Sequence, residues 1–331
     1  MQGQVSKMLN PANLTRENCT SSSQSKNYSK IKKMKINNVT VFGSGVLGAQ
    51  IAFHTAYHGY DVTLFDIKEE LLENAKLKFE QFKTLYQKDI NAASADLEAA
   101  LLRVRFTTDL AKSVKDADLT IEAVPEDIRI KRDFYSKIST LAPTKTIFCT
   151  NSSTLLPSQF ADQTGRPQRF LALHFANYLW KNNVAEIMGH AGTDPEIFNQ
   201  VVAFAKTIGM LTIPIYKEQP GYVMNSLLVP WLIAGLDLYR NGVADAASID
   251  KTWMKTLGAD LGPMAMADLV GMSTAYHVTQ SYAELTGEQQ WKDRRDFLKE
   301  NFIEKNKLGI STGEGFYTYP NPAYQHADFL K

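Results

Sequence analysis

The chain has 331 residues, 44% hydrophobic and 21% charged, with a formal net charge of +1, an ordinary globular composition whose length suits two domains. The near-neutral balance gives no field for holding a polyanion, and no apolar run approaches the ~20 residues a membrane span needs, so neither nucleic acid nor membrane is an expected partner. Cys19 and Cys149 are the only thiols, which excludes a disulfide framework or Cys-rich metal site and makes a reducing, cytoplasmic setting the expected one.

Residues 1–35 read as a polar extension expected to be disordered. Its first 33 residues are rich in Ser, Asn and Lys, hold the single acid Glu17, and lack the apolar core of a secretory signal. An organellar transit peptide, which would place the protein in an organelle matrix, is the alternative. Against it, Arg16 is the lone arginine there and Pro11 interrupts the one weakly amphipathic part, so the folded protein is expected to open near Met34.

From Ile36 the pattern changes. "INNVTVFGSG" is a β-rich run ending in glycines, and "AQIAFHTAYHGY" has helical spacing with Gly59 as its C-cap. "DVTLFD" is a second strand ending on Asp66. Residues 67–104 read as two amphipathic helices, "EELLENAKLKFEQFKTLYQK" and "SADLEAALLRV". The later strands are "LTIEAV", "TIFCT", "FLALHF", "VAEIM" and, after the helix "DPEIFNQVVAFAKTIGM", "LTIPI". Strands alternating with helices predict parallel pairing, hence an α/β fold of Rossmann type with a doubly wound sheet. After residues 217–222 strand signals fade and helical runs follow, with Pro230 expected to kink or offset the first. The expected domains are 36–217, dinucleotide-binding with a helical-pair insertion, and an all-α C-terminal domain at 218–331.

Gly43-Ser44-Gly45-Val46-Leu47-Gly48 is a G-x-G-x-x-G between a strand and a helix, with Asp66 placed 18 residues past its last glycine. That context marks a dinucleotide-binding fingerprint, the glycines allowing a tight turn, approach of the pyrophosphate and close helix packing. Asp66 is expected to accept from the adenosine ribose hydroxyls and disfavour a 2′-phosphate, which selects NAD; Lys68 nearby argues the other way. His54 and His58 stand four apart on the following helix, but no third ligand is evident and no metal is expected.

His174 ends one strand-like run, and Glu186 lies within the next. A histidine titrating near neutral pH suits removal of a hydroxyl proton, and a carboxylate can orient the ring and stabilise the imidazolium. The bland reading is a buried histidine bonded to backbone and an unrelated edge glutamate.

The glycine loop, "TIEAVPEDIRIK", "TNSST", "LHFAN…AE", "PGYVMN", "LGPMAMAD" and "TGEGFYTY" occur in the order and spacing of the L-3-hydroxyacyl-CoA dehydrogenase family, and the chain resembles it from residue 36 to about 320. The resemblance implies NAD-dependent, reversible oxidation of an L-3-hydroxyacyl-CoA to the 3-oxoacyl-CoA, and a homodimer formed through the helical domain. It implies His174 as general base, Glu186 as its partner, Ser153 between nicotinamide and substrate, and Asn225 as a second group placing the substrate carbonyl. It also implies Glu126, Lys131 and Asn177 at the nicotinamide end of the cofactor. Plainer roles compete: a solvated helix position for Lys131, and helix capping for Ser153 and Asn225.

Three departures from the family pattern stand out. The loop after His174 runs Ala176-Asn177-Tyr178-Leu179-Trp180-Lys181-Asn182-Asn183 where the family carries prolines and a Met-Lys pair. Ile310 and Ser311 replace two basic residues before "TGEGF". In the helical pair, where family members grip the CoA nucleotide, Phe82 and Asp89 take the expected places, with Lys83 and Lys88 adjacent. The loss at Ile310 and Ser311 bears on cofactor binding; the altered loop and the missing CoA cations support an alternative substrate, a free 3-hydroxy acid such as a sugar acid or carnitine. A noncatalytic NAD-binding protein on the same scaffold is the remaining alternative.

Overall fold

The computed structural model describes residues 36–331. The reading of residues 1–35 lies outside the described residues.

The sheet is built from short apolar strands joined through helices: β1 (Asn38–Phe42), β2 (Asp61–Phe65), β3 (Val104–Thr107), β4 (Leu119–Glu122), β5 (Ile147–Thr150), β6 (Phe170–Phe175), β7 (Val184–Met188) and β8 (Leu211–Ile215). Their order is β3-β2-β1-β4-β5-β6-β7-β8, so the strand sequence reverses between β1 and β4. In doubly wound sheets a ligand crevice opens at such a reversal, beyond the carboxyl ends of the strands. All pairings are parallel except β6–β7, an antiparallel pair whose register sets His174 directly opposite Glu186. The expectation of parallel pairing thus fails at one place, where an eight-residue loop is too short for a crossover and long enough for a hairpin.

Helix α1 (Val46–Tyr57) buries every residue from Gly48 to Ala56, because it is enclosed by the sheet on one side and by α2 (Glu69–Ile90) and α3 (Ser94–Leu102) on the other. The inner face of α2 is the stripe Leu72, Ala75, Phe79, Phe82 and Tyr86, whose 3–4 spacing follows the helical repeat. Asn91 ends α2 in the left-handed conformation that Asn tolerates. Strand β3 is a finding against the sequence reading, which continued the helix through Val104. The short α4 (Leu110–Val114) and α5 (Ile128–Leu141) cover the opposite face, while α6 (Pro195–Thr207) lies on the α1 side, where Phe204 packs on Tyr60 and the Ile208 carbonyl meets His54. A core of Phe42, Phe134, Tyr135, Phe148, Phe160 and Phe170 lies beneath α5.

Beyond β8 the chain forms α7 (Met224–Arg240), α8 (Ala246–Leu257), α9 (Pro263–Val270), α10 (Met272–Thr286) and α11 (Gln289–Leu298). Pro230 sits inside α7 without ending it. Gly271, at φ 91°, separates α9 from α10. Two buried carboxylates staple this region. Asp250 accepts from the amides of Met264 (2.8 Å) and Ala265 (2.9 Å), and Asp268 from those of Phe316 (2.8 Å) and Tyr317 (2.9 Å). A Cβ on Gly315 would stand 2.0 Å from Asp268 Oδ1, so "LGPMAMAD" and "TGEGFYTY" read here as one folding joint.

Candidate active site

The glycine loop lies at the carboxyl end of β1. Gly43 has φ 93°, and a Cβ there would lie 2.5 Å from the Ala123 carbonyl oxygen; one on Gly48 would lie 1.9 Å from that of Gly43. These two glycines are demanded by the protein itself. A Cβ on Gly45 would meet nothing within 4 Å, so the backbone there is bare toward open space, at an α1 N-terminus that no side chain caps. Unfilled helix-terminal amides beside a cleared backbone fit a pyrophosphate. Asp66 Oδ2 accepts from the amide (2.7 Å) and hydroxyl (2.6 Å) of Ser44, which fixes the carboxylate beside the loop. Lys78 Nζ reaches the Ser44 carbonyl at 3.1 Å, a cation near the loop that the sequence reading missed. Lys68 is exposed at the start of α2.

From this loop a cavity runs along Val46, Leu47, Ala123 and Val124 to Glu126, Lys131, Asn151 and Ser153. At its far end stands the histidine. His174 Nδ1 is 3.0 Å from Glu186 Oε2, and Nε2 is 3.2 Å from Ser153 Oγ. Glu186 Oε1 accepts from the amides of Val223 (2.9 Å) and Met224 (2.9 Å), at the N-terminus of α7. Burial pushes the Glu186 carboxyl up, but the His174 ring and these amides outweigh it and hold the group below its ordinary value. An ionised carboxylate only accepts, so Nδ1 carries the ring proton and Nε2 is the acceptor, with the Ser153 hydroxyl donating to it.

Tyr222, to which the sequence reading gave no role, completes this centre. It is 1% exposed, stacks on the His174 ring (centroids 4.6 Å apart, 24° between planes) and donates its hydroxyl to the Ser152 carbonyl at 2.7 Å. Its φ of 57° is costly for a residue with a side chain, and such strain persists where the surroundings over-determine it.

Glu126 holds the serine turn. Its Oε1 accepts from the Ser152 hydroxyl, the amides of Ser153 (3.1 Å), Thr154 (2.9 Å) and Leu155 (3.3 Å), and the Thr154 hydroxyl (2.8 Å). Burial opposes its ionisation; the Lys131 ammonium and these donors prevail and lower its pKa. Lys131 is 1% exposed, which removes the solvated-helix reading, and it pairs with Glu122 at 2.6 Å and Glu126 at 3.2 Å. Ser153 does not act as a helix cap: Ser152 Oγ accepts the Leu155 amide instead. Asn225 follows Met224 inside the first turn of α7, not at its cap, and among the described residues its side chain makes no hydrogen bond. Asn177 is exposed at the head of the loop after His174, its carbonyl accepting from Asn182 Nδ2 at 3.0 Å. The structure therefore joins Ser153, His174 and Glu186 directly and links Glu126 and Lys131 to them through the turn, while Asn225 and Asn177 stand apart with free amides.

The loop itself is anchored outward. Tyr178, with φ 60°, donates its amide to Gln50 Oε1 on α1 (2.6 Å), and the Trp180 indole donates to Asp89 on α2 (2.9 Å). Trp180 is 6% exposed and packs on Tyr86 and Phe82. Lys83 is held between Glu80 (2.8 Å) and Glu98 (2.6 Å). His54 has both ring nitrogens engaged, Nδ1 with the Tyr86 hydroxyl (2.7 Å) and Nε2 with the Ile208 carbonyl (2.8 Å). Ile310 and Ser311 fall in a short 3-10 turn, Ile310–Thr312.

Two family models match the chain: the NAD binding domain of 3-hydroxyacyl-CoA dehydrogenase over residues 38–219, and its C-terminal domain over 221–319. The human mitochondrial hydroxyacyl-coenzyme A dehydrogenase is 32% identical over 303 residues, 90% of this chain and 96% of that protein. Among solved structures, a diketoreductase described for substrate-directed dual catalysis of dicarbonyl compounds is 52% identical, with a TM-score of 0.82 over 86% of this chain and 100% of its own. The (S)-3-hydroxybutyryl-CoA dehydrogenase of Ralstonia eutropha is 25% identical, with a TM-score of 0.77 over 87% of this chain and 100% of its own.

Proposed function

The chain belongs to the 3-hydroxyacyl-CoA dehydrogenase family and is an NAD-dependent oxidoreductase, and from that premise we propose how its residues interconvert an L-3-hydroxyacyl-CoA and the 3-oxoacyl-CoA. Bound NAD supplies the hydride acceptor at its nicotinamide ring. His174 Nε2 takes the substrate hydroxyl proton, and Glu186, kept ionised by the α7 amides, stabilises the imidazolium. Ser153 Oγ and the Asn225 amide donate to the substrate oxygen as its charge changes. Gly43, Gly45 and Gly48 with Ser44, Val46 and Leu47 cradle the pyrophosphate, Asp66 takes the adenosine ribose, and Glu126, Lys131 and Asn177 frame the nicotinamide end. Residues 36–217 are the cofactor domain, and 218–331 the helical domain that completes the cleft and dimerises. The observation that carries this reading is the His174–Glu186 pairing, with Ser153 on the free ring nitrogen beside the cavity.

A second reading keeps these residues and changes the substrate to a free 3-hydroxy acid, such as a sugar acid or carnitine, or a related dicarbonyl. It is favoured because the helical pair offers an aromatic core residue, Phe82, and an indole-bound acid, Asp89, where a phosphate-rich handle would need cations, while Lys83 is already paired. The similarity to a diketoreductase at 52% identity points the same way.

NADH absorbance with purified protein separates the two, comparing acetoacetyl-CoA, free acetoacetate and a 3-oxo sugar acid, with His174→Ala as control. Turnover of acetoacetyl-CoA alone, lost in the variant, supports the first substrate; turnover confined to the free compounds overturns it and keeps the mechanism. Turnover of none would sink both.

A homodimer is further supported by exposed apolar residues on the C-terminal helices, Leu227, Leu269, Tyr282 and Leu285. A cytoplasmic location agrees with the buried free thiol of Cys149. Imaging fusions with and without residues 1–35 tests it against an organelle matrix.

A further inference from the structure

Glu122, the last residue of β4, is fully buried, and its carboxylate belongs to no role described so far. Oε1 accepts from Lys131 Nζ (2.6 Å) and the Val124 amide (3.0 Å); Oε2 accepts from the hydroxyls of Thr150 (2.8 Å) and Tyr135 (3.3 Å). Both oxygens are thus occupied by donors alone, the environment of an ionised group. Lys131 and Glu126 line the cavity between the glycine loop and Ser153, and Glu122 lies directly behind Lys131. Two carboxylates share one ammonium, so the cavity floor keeps one uncompensated negative charge. A buried pair of this kind is a poor source of stability compared with apolar packing, and a second carboxylate on the same cation makes it poorer.

We propose that Glu122 is a positioning residue that both anchors Lys131 and leaves this floor net negative, so that the cavity prefers the oxidised, cationic nicotinamide to the neutral reduced ring. The role rests on the cavity being the nicotinamide site, as the contact of Ser153 with His174 at its far end requires. The two redox forms differ at the nicotinamide ring, by the hydride added at C4 and the positive charge it cancels, and share the rest of the molecule. A fixed negative charge in a weakly screened floor therefore acts on one and not on the other.

The experiment is a titration of the full chain with NADH, followed by fluorescence, and with NAD+, followed by displacement of NADH. It is run on the unmodified protein, Glu122→Gln and Glu122→Asp. Glu122→Gln is expected to weaken NAD+ relative to NADH by roughly five- to twentyfold, the order expected for loss of one weakly screened charge. Glu122→Asp keeps the charge and the ratio, even where both affinities fall. Equal weakening of both forms in Glu122→Gln, or a shifted ratio in Glu122→Asp, reduces Glu122 to a packing role and overturns the proposal. Should Glu122→Gln fail to fold, Glu126→Gln removes the other carboxylate at a more open position and must move the ratio the same way; an unmoved ratio is equally fatal. Failure of the unmodified protein to bind either form would overturn this role together with the NAD site, whereas binding of both without a ratio change sinks Glu122 alone.

Discussion

At the scale of single residues, the three glycines of one loop are needed for different reasons, and substitution separates them. Gly45→Ala adds a methyl where the protein has no atom, so melting should be unchanged while NAD affinity in a binding titration falls about tenfold or more. Gly48→Ala drives a methyl into the Gly43 carbonyl and should lower the melting temperature itself. Glu186→Gln is expected to cut kcat by roughly 10²–10⁴-fold, since an amide neither holds the ring tautomer nor stabilises the imidazolium. Tyr222→Phe leaves the buried Ser152 carbonyl without its donor and should cost about 1–2 kcal/mol in a denaturant titration. The tight turn of the glycines and the place of Asp66 beside them were legible because they follow from residue type and local spacing. Tyr222 and Glu122 were not. Nothing in "PGY" announces a tyrosine in the left-handed region, and Glu122 reads as the polar end of a strand until its four donors, drawn from α5, β5 and the loop after β4, are assembled around it.

Among the elements, α1 and α2 are fastened together and to the β8 side of the sheet by one buried histidine. Burial, reinforced by the neighbouring His58, lowers the His54 pKa from 6.5 to about 3. Protonation is therefore easier in the unfolded chain, where the value stays near 6.5. The stability tied to neutral His54 is fully present above pH ~6.5 and is lost as pH falls toward ~3, on the order of a few kcal/mol across that window. Denaturant midpoints between pH 7 and 4 should fall with this slope in the unmodified protein and flatten in His54→Gln. The same pair of helices shows where periodicity misleads. The stripe Leu72 to Tyr86 declared α2 correctly, but "VRF" follows α3 after a single residue, so the apolar pattern carried on while the backbone had already turned into β3. The β6–β7 hairpin was half legible: both strands stood out, and their antiparallel register did not, since register is set by the partner strand and the connecting loop.

On the scale of the whole molecule, the exposed apolar positions of α7, α9 and α10 predict a mass of twice the chain by light scattering, and Leu227→Glu together with Leu285→Glu should return the monomer mass with the far-ultraviolet spectrum unchanged. The change from strands to helices after residue 217 was readable, because a change in hydrophobic period is a property of the chain alone. How the parts meet was not readable, because it depends on Glu186. One oxygen of that carboxylate serves the histidine of the sheet, and the other is held by the first amides of α7. Anyone grafting the helical half of a relative onto this sheet, to import a different substrate preference, must therefore transplant the seam at residues 222–224 as a unit. A chimera that matches every pocket residue but tilts that first turn would fold, bind NAD, and carry a His174 whose partner faces the wrong way.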